Sequence, residues 1–133
     1  MKNRTHDSQL IHDNVISEAV KHLNQTDFDI YTNPGSLKNA GIGDKYPDII
    51  MAKKGEKTAK FIIEVETADS VNITEANSQW KQYAMEINAS FYLLVPEGSK
   101  QNAINLCNQV GISARFATYR TDSVGNVLQI NFE

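Results

Sequence analysis

One short apolar run, residues 91–95 (Phe-Tyr-Leu-Leu-Val), constrains the fold of this chain more than any other feature. A strand that is apolar on both sides is typical of a sheet that is covered on both faces. Helical spacing of apolar residues occurs just before this run, in residues 73–87, and just after it, in residues 103–110. A strand between two helices predicts an α/β fold with helices on both faces of a mixed sheet.

The other elements are predicted in the order helix, three strands, helix, strand, helix and one or two closing strands. The first helix carries an apolar stripe from Ile11 to Leu23. The three early strands are expected to form an antiparallel meander, which the apolar run joins in parallel through a right-handed helical crossover. No linker divides the 133 residues, so we expect residues 1–133 to form one domain. Strands are predicted at residues 27–31, 46–52, 60–67, 91–95, 115–119 and 127–132.

Composition narrows the class of protein. No apolar stretch approaches the ~20 residues that span a bilayer, and the first residues lack the apolar core of a signal peptide. These observations predict a cytoplasmic protein without a membrane segment. The single Cys107 excludes an intramolecular disulfide and a Cys-based zinc site, and we expect it to be buried. The three histidines, His6, His12 and His22, are expected to be ordinary surface or capping residues.

Three acidic side chains are predicted to meet where the second and third strands pair. Because strand side chains alternate between faces, Glu64 and Glu66 share one face of the third strand. A hairpin turn centred near Glu56 would place Asp48 opposite Glu64, with Cβ atoms about 4.5–5.5 Å apart. Carboxylates this close repel each other unless a cation neutralises them, and Mg²⁺ prefers carboxylate oxygens and water. A metal there could activate water and stabilise charge on a phosphodiester.

A solvated strand face is the alternative interpretation of the same residues. It predicts that Glu64 and Glu66 are exposed and lie apart from Asp48. The neighbouring residues argue against it, because the two strands are apolar on both faces and a buried, unused carboxylate is costly. The glycine-rich loop at residues 41–43 would also leave room for a ligand beside the carboxylates.

Two motifs resemble a known nuclease family. Pro47-Asp48, followed on the next strand by Glu64-Val65-Glu66, resembles the PD-(D/E)xK superfamily, which has the restriction-endonuclease-like fold. Downstream, the spacing of Gln79 and Tyr83 resembles the Q-x-x-x-Y motif of RecB-like nucleases in that superfamily. The predicted order of elements is similar as well, over roughly residues 7–119. The resemblance implies a three-layer α/β/α sandwich with a mixed central sheet, and hydrolysis of DNA that depends on Mg²⁺ or Mn²⁺.

The resemblance also implies roles for individual residues. Asp48 and Glu64 would bind the metal, and Gln79 and Tyr83 would lie near the catalytic strands and the nucleic acid. Glu66 departs from the family, which usually has a lysine there to polarise the attacking water. Such a Glu is similar to the variant in a minority of restriction enzymes, where it could act as general base or extra ligand. It could equally mark an inactivated copy.

Two further residues enter through the resemblance. Several superfamily members, including archaeal Holliday junction resolvases, use a glutamate of the first helix as an extra metal ligand, which makes Glu18 a candidate; the alternative is an exposed helical side chain. A lysine from elsewhere could replace the missing one, and Lys45, three residues before Asp48, is close enough in sequence to reach.

The predicted function is therefore metal-dependent phosphodiester hydrolysis of DNA. The alternative is a catalytically inactive nuclease-fold protein that serves as a nucleic-acid-binding or protein-interaction module. The net charge of −3 and the isoelectric point of 5.6 favour the alternative, since proteins that hold a duplex usually present a basic face. A domain this small offers little surface for reading a sequence, so a homodimer or a larger protein partner is expected.

Overall fold

The computed structural model describes residues 5–24, 27–35 and 37–132. The predicted domain of residues 1–133 also includes residues 1–4, 25–26, 36 and 133, which lie outside these ranges. Within them the α-helices are α1 (His6–Leu23), α2 (Ile73–Glu75), α3 (Lys81–Glu86) and α4 (Lys100–Val110), and a π-helical segment, Ala76–Trp80, joins α2 to α3. The strands are β1 (Phe28–Thr32), β2 (Ile49–Lys53), β3 (Ala59–Val65), β4 (Ser90–Pro96), β5 (Arg115–Thr121) and β6 (Val127–Phe132).

The six strands form one mixed sheet in the order β1-β2-β3-β4-β5-β6. Strands β1, β2 and β3 form an antiparallel meander. Strands β3, β4 and β5 run parallel to one another, and β6 pairs antiparallel with β5 at the edge. The predicted mixed α/β fold, its meander and the parallel strand that follows are thus confirmed.

Helices cover both faces of the sheet. Helix α1 packs Val15, Ile16 and Ala19 onto one face, against a cluster that includes Ile63 and Leu94. The π-helical segment, α3 and α4 cover the other face, in a cluster that includes Ile62, Leu93, Trp80, Ala103 and Leu106. Burial of β4 from both sides explains its continuous apolar run. None of the helices in the described ranges has the length and apolar character needed to cross a bilayer.

The two strands that carry the predicted carboxylates are shorter than the sequence suggests. Strand β2 begins at Ile49 rather than at residue 46, and β3 ends at Val65 rather than at residue 67. Pro47 has no backbone N–H to give to a ladder, which limits how far β2 extends. The middle helix also differs, because the π-helical segment interrupts what the spacing predicts as one regular helix. The shortened strand ends and the π-helical segment all lie close to the predicted acidic residues, since Asp48 and Glu66 flank the strand ends and Trp80 of the π-helical segment contacts Glu66.

Cys107 provides a test of the packing between α4 and the sheet. The thiol is buried, and burial raises its pKa from 9.0 to about 11. Because the thiolate is the reactive form, we expect a thiol-specific reagent to label Cys107 slowly at pH 8 in the native protein and rapidly in denaturant. The unfolded chain loses the thiol proton near pH 9 while the folded chain keeps it to about pH 11, so stability should fall as the pH rises through that window.

The control for this pH dependence is Cys107→Ala. It should be less stable at neutral pH because it leaves a small cavity, but it should lack the part of the alkaline decline that comes from the thiol. Equal alkaline declines in the parent and the variant, measured by urea unfolding at pH 8, 9 and 10, would contradict the assignment.

Candidate active site

Asp48 and Glu64 meet at the end of the pairing between β2 and β3. The register aligns Ile49 with Ile63, which puts Asp48 opposite Glu64. The Asp48 backbone N–H donates to Glu64 Oε1 at 2.9 Å, and the Val65 N–H donates to Asp48 Oδ2 at 2.8 Å. Only 7% of Asp48 and 2% of Glu64 is exposed. The predicted position of Asp48 opposite Glu64 is confirmed, and the alternative of a solvated strand face is wrong.

The contacts of Pro47, just before β2, explain why side chains replace backbone groups as hydrogen-bond partners at this end of the β2–β3 ladder. Extending the register places Pro47 opposite Val65, but the Pro47 carbonyl accepts from Asn33 Nδ2 at 2.7 Å. The Val65 N–H is bonded instead by the carboxylate of Asp48. Asn33 is itself buried, and its backbone N–H donates to the Asp48 carbonyl at 3.0 Å. The regular strand therefore begins only at Ile49.

The loop before this segment is closed by its own contacts. The side chain of Asn33 donates to the Ala40 carbonyl and accepts from the Ala40 N–H. A Cβ atom built on Gly41 would lie 2.7 Å from the ring of Tyr46. Gly41 therefore serves close packing with Tyr46, whereas a Cβ atom built on Gly43 would meet nothing within 4 Å, and the room for a ligand expected beside this loop stays a prediction.

His12 of α1 completes the surroundings of Asp48. Its Nε2 lies 3.0 Å from Asp48 Oδ1, and only 1% of the residue is exposed. The expectation of a surface or capping histidine is wrong for His12, whereas His6 and His22 are exposed. The buried stripe of α1 has the spacing 12, 15–16 and 19, and that periodicity is the sequence signal that could have identified His12 as an inward-facing residue.

The other edge of the His12 ring is held by its own helix. Nδ1 lies 3.0 Å from Asp13 Oδ1 and 3.3 Å from Gln9 Nε2, and Gln9 Nε2 donates to the same Asp13 oxygen at 3.0 Å. Asp13 Oδ1 also accepts from the Gly35 backbone N–H at 2.9 Å. Asp13 thus ties α1 to the loop after β1, while His12 ties α1 to Asp48.

Glu66 is fully buried one step beyond the end of β3. Its Oε1 accepts from Ser70 Oγ at 2.6 Å, and its Oε2 accepts from Trp80 Nε1 at 2.9 Å. Its backbone is also held, because the N–H donates to the Leu94 carbonyl and the carbonyl accepts from the Tyr119 hydroxyl at 2.8 Å. The structure thus directs the Glu66 carboxylate toward the helical layer that carries Trp80.

Gln79 and Tyr83 lie on the middle helix, on either side of Trp80. The π-helical segment widens the backbone there. Such segments are rare in proteins, but those that occur are frequently found at functional sites. Gln79 is partly exposed, whereas Tyr83 is buried with its ring edge-on to Phe91 at 6.4 Å between centroids. Their predicted roles beside the nucleic acid stay predictions.

Glu18 and Lys45, the two residues considered as additions to the site, have partners of their own. Glu18 is half-exposed and pairs with Lys21 at 3.1 Å. Lys45 Nζ contacts Asp44 and Glu86, each at 3.1 Å. The hydrogen bonds to these two carboxylates raise the pKa of Lys45, Asp44 contributing most. The structure thus places both side chains in surface pairs.

A cleft of about 580 Å³ lies at the carboxyl ends of β3, β4 and β5. Its lining includes Thr67, Asp69, Tyr119 and Arg120. Ligands of open α/β sheets bind outside the carboxyl ends of strands, and the cleft has that position in the sheet, although its lining consists of residues other than Asp48, Glu64 and Glu66. Among the described residues, no group of three or more His, Cys, Asp or Glu is arranged to hold a metal ion.

Comparisons with protein-family models, with curated proteins and with solved structures found no match to this chain. The function therefore has to be inferred from the geometry of the site.

The hydrogen bond between Trp80 and Glu66 leads to a test of stability. Trp80→Phe removes the indole N–H and leaves a buried carboxylate oxygen without that donor, so we expect the free energy of unfolding to fall by about 2–4 kcal/mol. Urea unfolding of the parent, Trp80→Phe, Glu66→Met and the double variant gives the coupling between the two residues, because methionine is similar in size to glutamate and lacks the acceptor oxygen. We expect a coupling of ~1 kcal/mol or more, whereas additivity within ~0.5 kcal/mol would mean that the bond contributes little.

Proposed function

We propose that this chain is a metal-dependent phosphodiesterase acting on nucleic acid, DNA foremost, with Asp48 and Glu64 as ligands of Mg²⁺ or Mn²⁺. The observation that carries the proposal is the buried contact between the two residues at the end of β2–β3 pairing. Burying two adjacent carboxylates is unfavourable unless their charge is used or neutralised. Residues kept in such an arrangement are candidates for a functional site.

The donor set suits a hard divalent cation. Each carboxylate oxygen has two lone pairs, so Asp48 and Glu64 keep acceptor capacity beyond the backbone N–H groups that they bind. Mg²⁺ usually takes one or two protein carboxylates and completes its shell with water and substrate phosphate, so two protein ligands are sufficient. Once bound, the cation would lower the pKa of a water and stabilise charge on the phosphate.

The topology supports the same proposal. The chain runs through a helix, a three-strand meander, a helical segment and a parallel strand followed by another helix, which is the order implied by the resemblance to PD-(D/E)xK nucleases. Helices lie on both faces of the sheet, as expected for the three-layer sandwich of that fold. The register that puts Asp48 opposite Glu64 is consistent with the roles that the resemblance implies for these two residues.

A catalytically inactive nuclease fold is the second candidate, and Glu66 is the observation that favours it. The position where the family usually has a lysine holds a carboxylate whose two oxygens bind Ser70 and Trp80. Such a chain would act as a nucleic-acid-binding or protein-interaction module, alone, as a homodimer or with a larger partner. The net charge of −3 is consistent with the protein-interaction form.

Substitution of the two proposed ligands separates these candidates. Asp48→Asn and Glu64→Gln should each reduce cleavage of labelled DNA in Mg²⁺ or Mn²⁺ by at least about 100-fold, since loss of even an outer-shell partner of a metal costs 10–100-fold. Removal of the metal with EDTA should abolish cleavage in the parent. Calorimetric titration of Mn²⁺, with and without an uncleavable oligonucleotide, should show binding to the parent that both variants lose.

Glu18→Gln is the matched control, because it replaces a half-exposed carboxylate that pairs with Lys21. It should cleave like the parent, and a loss of activity would instead make Glu18 the extra ligand that the resemblance implies. If the parent neither binds metal with oligonucleotide present nor cleaves single-stranded or duplex DNA or RNA, the nuclease proposal fails and the inactive module is favoured.

A further inference from the structure

The carboxylate of Asp48 has a polar contact at each of its two oxygens. Oδ2 accepts from the Val65 N–H at 2.8 Å, and Oδ1 lies 3.0 Å from His12 Nε2. The terminal torsion of an aspartate is broad and roughly two-fold, so a single partner would leave the carboxylate free to rotate. The direction of its remaining lone pairs is therefore set by Val65 and His12 together.

The imidazole of His12 is fixed in turn. It is buried, with Nδ1 beside Asp13 Oδ1 and Gln9 Nε2. Asp13 is fixed from outside the helix as well, because it accepts from the Gly35 N–H. The result is a chain of polar contacts from Gly35 through Asp13 and His12 to Asp48, which orients the carboxylate before any ligand arrives.

We propose that His12 is a positioning residue, whose Nε2 edge fixes the orientation of the Asp48 carboxylate while Asp13 fixes the imidazole. That this orientation serves metal binding and cleavage rests on the proposed function. The orienting contact does not, and it can be measured without metal. Outer-shell partners of this kind set the direction and basicity of a metal ligand, and functional groups gain precision when their rotamers are locked by such contacts.

Two amide variants test the role of each ring edge. In His12→Gln the side-chain amide can present an N–H near the position of Nε2, and in His12→Asn it can present one only near Nδ1. We expect the Val65 amide resonance in ¹H–¹⁵N spectra, recorded without metal, to stay close to the parent in His12→Gln and to shift in His12→Asn. The Kd for Mn²⁺ should stay within about threefold of the parent in His12→Gln and rise about tenfold or more in His12→Asn.

The outcomes distinguish positioning from other roles. An unshifted Val65 resonance in both variants would overturn the proposal, because Asp48 would then keep its orientation without His12. Loss of Mn²⁺ binding in both variants at parental stability would also overturn it, since the imidazole itself would then be a ligand. If the parent binds no metal, the proposed function fails, while the Val65 resonance still decides whether His12 orients Asp48.

Asp13→Asn extends the test to a site where folding is less at risk. The Asp13 side chain is 37% exposed, and asparagine keeps an oxygen for the Gly35 N–H. We expect the Val65 resonance to shift in the same direction as in His12→Asn, because the imidazole loses its charged partner. An Asp13→Asn spectrum that matches the parent at Val65 would remove Asp13 from the chain of contacts, even if both His12 variants failed to fold.

Discussion

At the end of the β2–β3 ladder, side-chain carboxylates replace backbone carbonyls as hydrogen-bond acceptors. The arrangement of the candidate site depends on these bonds. The Asp48 carboxylate binds the Val65 N–H, and the Glu64 carboxylate binds the Asp48 N–H. A buried backbone N–H without a partner is costly, so neither acid can turn away unless another acceptor replaces it. The groups that would hold a metal are thus the groups that close the sheet, which fixes their positions with the rigidity of the sheet itself.

The same constraint explains the unusual number of buried acids in one small region. The contacts come from three layers: backbone N–H groups of the sheet bind Asp48 and Glu64, His12 of α1 lies 3.0 Å from Asp48 on one face, and the indole N–H of Trp80 donates to Glu66 from the other. Each acid has its own polar partners, and those of Glu66 come from Ser70 and Trp80 rather than from the β2–β3 ladder. These local partners allow Glu66 to be buried completely.

The sequence correctly predicted the features that depend on the periodicity of apolar residues and on the length of short connections. The apolar run of β4, the meander and the position of Asp48 opposite Glu64 follow from periodicity and from the length of one hairpin. The partners of Glu66 do not, since Trp80 is 14 residues away and reaches it through a π-helical segment that apolar spacing does not reveal. His12 lies on the buried stripe of α1, and the periodicity of that stripe indicates that His12 faces inward. It does not indicate which residue His12 contacts. Its partner Asp48 is 36 positions distant, and only the packing of α1 on the sheet brings them together.

The position of Glu66 bears directly on how catalysis could work in this chain. A lysine there would face the Trp80 N–H, which can only donate, so two donors would oppose each other in a buried space. The buried Trp80 N–H requires an acceptor, which Glu66 provides. A lysine could not provide one, because its ammonium group only donates. With its oxygens bound to Ser70 and Trp80, Glu66 is poorly placed to take a proton from an attacking water. Under the proposed function, a cation bound by Asp48 and Glu64 would supply the activation of water that Glu66 is poorly placed to give, and the orientation of Asp48 would matter for that binding.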